Sequence, residues 1–328
     1  MRGLPSDLFL PPIAQAKGKA HNRALKLVEH WKTGGAIAFK GHEHWNEDEI
    51  VGVLLSRQWL CCAYCGRKLS TDNYDVDHFR PKGKIADDPM HGGYWWLAYH
   101  LPNLYLSCPR PCNSRLKWNR FPVKEESCRT TYNTRGGIAD ECRLLLDPVF
   151  DPVEDWVRFD WKSDEPSLVP AQGIPDFAVD RVNETIRLLE LNTNIELQRG
   201  WYRVKRLLVA HLSEKSNERA RQMAIRFRPH SIVARDMLRQ LRPELLPTAA
   251  DEANYLIRRM LAQLKTLKVL MKRQRTNILA QQADRLLWAI ASLSAAQWHG
   301  STEEIAGRIQ MRGIFDQIED YKSRLVKP

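Results

Sequence analysis

The chain has no apolar run approaching the roughly 20 residues that a membrane-spanning helix needs. Its opening stretch, Met1 to Pro12, places Pro and Asp where a signal peptide requires an unbroken apolar core. A cytoplasmic protein with no membrane contact is therefore expected. In that reducing setting the 7 cysteines are read as thiols or metal ligands, not as a disulfide framework. Internal repeats and low-complexity tracts are missing too, which excludes a solenoid. What remains is ordinary for a well-cored protein: 43% hydrophobic and 27% charged over 328 residues, room for two domains or one with a large appendage.

Positive charge is abundant but unevenly placed. Residues 1–170 carry 23 Lys and Arg against 22 Asp and Glu, whereas residues 171–328 carry 27 against 17, so +10 of the net +11 lies in the second half. Such an excess favours polyanions, chiefly nucleic acid, although a solvated face that keeps the protein soluble gives the same count.

Texture divides the chain into four stretches and predicts an α+β protein. Residues 1–58 read as an N-terminal helical segment, with Ala24, Leu25, Leu27, Val28 and Trp31, then Ile50, Val51, Val53, Leu54 and Leu55, at helical spacing around a break at Thr33-Gly34-Gly35. Residues 59–125 are rich in Cys, Pro, Gly and aromatics without a long period, as short strands and loops tied by metal would be. Residues 126–175 form a loop-rich connector with a short strand at Val157 to Trp161. Residues 176–328 read as a basic helical domain for substrate or partner binding. Its longest segment, about 249–293, aligns Met260, Leu264, Leu267, Met271 and Ile278, with Lys265, Lys268, Lys272 and Arg275 on a neighbouring face.

The chemistry concentrates between two cysteine pairs, Cys62-Ala-Tyr-Cys65 and Cys108-Pro-Arg-Pro-Cys112. Turns of this length let two thiolates face one ion, and two such turns complete a tetrahedral Zn2+ shell. Cys61 offers an alternative partner for Cys65. Cys128 and Cys142 have no partner at metal spacing and read as buried or incidental thiols. Between the pairs lies Tyr74-Asp75-Val76-Asp77-His78, alternating like a strand, with Val76 and His78 on one face and Asp75 and Asp77 on the other. Asp77 offers a hard oxygen ligand beside an imidazole, His78, whose pKa near neutrality suits water activation against a phosphodiester. A second apolar strand, Asn103-Leu104 to Cys108, returns to the second pair, and Asn113 is positioned to cap a short helix there.

The run C-x2-C, D-H-x2-P, N-L-x3-C-x3-C-N resembles the zinc-bound class of the HNH, or ββα-metal, endonucleases. That resemblance implies a phosphodiester hydrolase. Cys62, Cys65, Cys108 and Cys112 would hold structural zinc, Asp77 and Asn113 a catalytic Mg2+ or Mn2+, His78 would be the general base, and Asn103 would fix the loop between the strands. The family usually has C-x2-C in the second pair and a basic residue three after the Asn. Here Pro111 stands as an insertion, leaving Arg115 and Lys117 as candidates for the phosphate contact. Outside the core, phrases such as Gly93-Tyr94-Trp95-Trp96-Leu97-Ala98-Tyr99 and Ile186-Arg187-Leu188-Leu189-Glu190-Leu191-Asn192 are similar to the PtuB-type HNH proteins of Septu and retron-associated anti-phage loci. This similarity implies a partner of the SMC-like or AAA ATPase kind. A non-catalytic zinc-stabilised binding subunit and a stand-alone restriction-type DNase are the competing expectations.

His42, His44, His91 and His100 are read as surface or loop histidines. Tyr94, Trp95, Trp96, Tyr99 and Tyr105 are read as core, Asp87 and Asp88 as a solvated turn, and Asp75 as a solvent-facing strand residue.

Overall fold

The computed structural model describes residues 19–34, 37–39, 44–133, 138, 141–161, 166–226, 228–273, 281, 282, 285 and 286. His42, Arg275 and Ile278 lie outside these residues. The chain is an α+β protein with two small antiparallel sheets among helices. In chain order the described elements are α1 (Lys19–Lys32), α2 (Asp48–Gln58), β1 (Asp75–His78), β2 (Leu104–Ser107), α3 (Val153–Trp156), β3 (Val157–Asp160), β4 (Ser167–Pro170), α4 (Asp176–Leu188), α5 (Ile195–Ser213), α6 (Asn217–Met223), α7 (Ser231–Leu241) and α8 (Ala249–Arg273). A helical stretch of 9 residues, Pro109–Lys117, follows β2.

The two N-terminal helices and the strand at 157–160 fall where the periodicity puts them. α1 gives way at Thr33 and Gly34, the latter at φ +79, a left-handed conformation that glycine adopts without strain. On α8, Met260 and Leu267 are buried and Lys265 is exposed, as an amphipathic helix requires.

β1 pairs with β2 in the register Asp75 to Ser107, Val76 to Leu106, Asp77 to Tyr105 and His78 to Leu104. Val76, Asp77 and His78 are all buried, so both faces of this ribbon are covered, and β2 is buried throughout. A covered edge must have its backbone groups satisfied. The last turn of α2 does this with side chains. The Gln58 amide accepts from Leu106 N at 2.8 Å and donates to Leu106 O at 2.9 Å, while Arg57 donates to Leu104 O. The aromatics pack as core: Tyr94, Trp95, Tyr99 and Tyr105 are buried and Trp96 packs against them.

The helical half is knitted around a second constraint. Glu154, at the start of α3, accepts ion pairs from Arg226 at 2.7 Å, Arg235 at 2.8 Å and Arg239 at 3.2 Å, and Glu252 of α8 pairs with Arg226 and Arg235. Burial raises the Glu154 carboxyl, but Arg226 and Arg235 more than offset it and hold the group below the ordinary carboxylate value. A depressed folded value means that this stabilisation is present above the unfolded carboxyl pKa and lost as pH falls through the folded one. Glu154→Gln is expected to lower unfolding free energy by on the order of 3 kcal/mol, because it strands buried guanidinium charge. It should also flatten the loss of stability on acidification; urea melts at neutral and acid pH check both.

Candidate functional site

The first cysteine pair sits in a hairpin. Leu69 N donates to Leu60 O, Cys62 N to Arg67 O, and Gly66 N to Cys62 O at 2.9 Å. Gly66 at φ +69 lets the chain reverse directly after Cys65. The second pair spans the end of β2 and the stretch after it, where Asn113 N reaches back to Cys108 O at 3.1 Å. The extra residue of this longer turn is absorbed at Arg110, which takes an extended conformation (φ −133, ψ 140) inside an otherwise helical run.

As a result, Cys62, Cys65, Cys108 and Cys112 meet, all buried, with their Sγ atoms within 4.8 Å of one another. A Zn2+ tetrahedron with bonds near 2.3 Å sets sulfurs about 3.8 Å apart, so this donor set is suited to a metal such as zinc. Cys61 stays out of the cluster and bridges to Lys68 across the hairpin. Cys128 and Cys142 correct the sequence expectation: they are joined as a disulfide with Cα atoms 5.7 Å apart. The Val123 to Arg143 bridge and the Lys124 N to Cys142 O hydrogen bond draw the two segments together.

Asp77 and His78 end β1 and are 5% and 4% exposed. His78 Nε2 lies 2.9 Å from Ala98 O. A carbonyl only accepts, so Nε2 carries the proton and Nδ1 keeps its lone pair. Burial first, then the charges of Lys82 and Lys117, push His78 well below its ordinary pKa against the opposing pull of Ala98, so the ring is neutral at physiological pH. Trp45 stands edge-on to the imidazole, 5.2 Å between ring centroids, and Lys82 Nζ lies 4.5 Å above the Trp45 ring.

Lys117 is fully buried and is the link between β1 and the stretch after the second cysteine pair. Its Nζ donates to His78 O at 2.7 Å and lies 3.2 Å from Asp77 Oδ2, which also accepts from the Tyr64 hydroxyl. Arg115, by contrast, is exposed and pairs with Glu190 at 2.8 Å. Asn103 accepts from Arg80 N at 2.8 Å and donates to Arg80 O and Leu97 O, clipping both ends of the loop between the strands. Asn113 is not a helix cap: Cys108 starts that stretch, and Asn113 lies inside it, donating to Asp75 Oδ2 at 2.7 Å. Asp75 is accordingly half-buried and partnered, not solvent-facing.

Several participants carried no sequence signal. Tyr64 is hidden inside a metal-spacing motif, and Trp45, which precedes α2 in the chain, reaches His78 from 33 residues away in sequence. The Ala98 carbonyl is backbone. Arg80, whose backbone Asn103 clips, forms a buried pair with Glu141 at 2.7 Å.

An α+β core in which four buried cysteines gather around a short ribbon that carries an Asp-His pair is compatible with a zinc-binding HNH fold. Comparison with known proteins agrees: 119 residues are 36% identical to Septu protein PtuB of Bacillus mycoides (strain KBAB4). The match takes in 34% of this chain and 39% of that protein, so the chain spans well under half the length of the curated relative it matches. No family model matches. No solved structure matches either.

Metal analysis of the purified chain is expected to give one zinc per chain. Cys65→Ala should abolish it and destabilise the fold severely, since structural zinc contributes on the order of 10 kcal/mol. Cys61→Ala should leave the zinc in place.

Proposed function

We propose that the chain is a metal-dependent HNH endonuclease that hydrolyses nucleic-acid phosphodiesters. The observation that carries this reading is the contact of His78 Nε2 with Ala98 O at 2.9 Å, which sets the tautomer of the ring. With its Nε2 proton on Ala98 O, the ring holds Nδ1 as an unprotonated acceptor. In this reading His78 takes a proton from the attacking water. The Ala98 carbonyl fixes the ring and stabilises the Nε2–H as charge develops. Asn103 holds the loop that carries Ala98's neighbour Leu97.

Asp77 and Asn113 suit Mg2+ or Mn2+. One carboxylate and one amide oxygen, with positions left for water and phosphate, form the hard donor set that these ions take. Asn113 spends its Nδ2 on Asp75, which leaves its oxygen as the ligating end. Such an ion, when bound, supplies charge stabilisation to the scissile phosphate and the leaving oxygen. Lys117 and Tyr64 orient Asp77 through its Oδ2. Of the two basic candidates for phosphate contact, Arg115 is the exposed one and is assigned that role; Lys117 is assigned to holding Asp77.

By the same resemblance, the protein is read as the nuclease effector of an anti-phage Septu-type system acting with an SMC-like ATPase. Residues 59–125 would be its nuclease core, and residues 176–328 the basic helical domain that grips substrate or partner. A second reading, a zinc-stabilised binding subunit without catalysis, draws support from the burial of Asp77 and His78.

The test is supercoiled plasmid and tRNA with Mg2+, with and without the co-expressed neighbour ATPase. Wild type is expected to cut, and His78→Ala to lose at least 100-fold, the scale of a general base. Equal cutting by both removes His78 as the base. No cutting under any of these conditions favours the binding subunit.

A further inference from the structure

Two grooves on the protein are lined by cations and by no carboxylate. The first, about 1060 Å³, runs between the first cysteine hairpin, the start of the stretch after β2, and α8. Lys68, Arg110 and Arg259 line it and are exposed, with Ser70, Thr71 and Asn73 adding hydrogen-bonding groups. The second, about 680 Å³, lies along α5, where Arg199, Arg203 and Arg206 recur at helical spacing and are exposed. None of these six side chains has an ion-pair or hydrogen-bond partner among the described residues. This sets them apart from Arg226, Arg235, Arg181 and Arg80, which are held by Glu154, Glu252, Asp151 and Glu141. Arg67, on the wall of the first groove, pairs at 2.9 Å with Glu196 of α5, the residue after Ile195, which lines the second.

Three unpaired cations in each of two grooves bridged by that ion pair repel one another, and the repulsion is relieved by a ligand with regularly spaced negative charge. We propose that the two grooves form a track for the sugar-phosphate backbone of a nucleic-acid strand. The track passes the zinc cluster on the side away from His78. Arg110 and Ser114 line it, whereas Asn113 and Lys117 of the same stretch bond toward β1. It therefore adds a grip on the strand outside the hydrolytic centre. The proposal rests on the nucleic-acid part of the function proposed above and not on hydrolysis.

The test uses a fluorescein-labelled single strand of 20 nucleotides, binding to the full chain in a His78→Ala background, followed by anisotropy across a salt series. Lys68→Glu, Arg110→Glu and Arg259→Glu combined should weaken binding at least tenfold and reduce the log–log salt slope by about 2, at roughly 0.7 per lost phosphate contact. Arg199→Glu with Arg203→Glu should reduce it by about 1.4. Lys32→Glu, an exposed cation outside both grooves, should change neither quantity. Unchanged affinity and slope in the groove variants overturn the track, as does an equal loss with Lys32→Glu. Binding of free ATP in place of the strand overturns it as well. A wild type that binds through the grooves but never cuts leaves the track standing and sinks the nuclease.

Discussion

Four buried thiols in mutual reach are the constraint on which the rest of the core depends. Two four-residue strands cannot organise a hairpin, a 25-residue loop and a helical stretch by backbone hydrogen bonding alone, since so small a ribbon is marginal in water. The sulfurs instead fix the start of the core at Cys62 and Cys65 against its end at Cys108 and Cys112. Asp77, His78, Asn103, Asn113, Arg115 and Lys117 all lie between those points or within five residues of them. Lys117 follows Cys112 closely enough that placing the cysteine places the ammonium, and through it Asp77.

Much of this was legible because it is local. Metal spacing, the Asp-His pair and Asn103 before the second strand are short patterns whose geometry follows from the backbone of a turn or strand. Asn103, singled out by the family resemblance, bonds to Arg80 N and Arg80 O in the inter-strand loop. The helices were legible for the same reason, through the stripe on α8 and the paired stripes at the N-terminal end. What failed was tertiary. Cys128 and Cys142 are 14 residues apart and meet only because the Val123 to Arg143 bridge brings their segments together. Asp75 looked exposed because strand alternation says nothing about a side chain arriving from another element, here Asn113.

The charge of the second half shows the same division. Composition located the excess correctly but could not separate cations that are answered by carboxylates from those that are not. Glu154 alone engages three arginines at the junction of α3, α6 and α7. The lysine stripe of α8 was visible as a pattern, whereas the unanswered cations that share a groove sit on α5, around the cysteine hairpin and at Arg259 of α8. Which charges are free is settled by the partners that folding brings to them.

The side chain of Gln58 has a further consequence. By giving Leu106 both a donor and an acceptor, one amide imitates a residue of a third strand, and the ribbon gains a closed margin without the chain length a strand would require. A two-stranded ribbon with an open margin invites a foreign strand to lie alongside it. Here that invitation is withdrawn by a helix, and the residue beside Gln58, Arg57, closes the next position. The β2 margin of the ribbon is thus insulated from strand-swapping with a second copy of the chain.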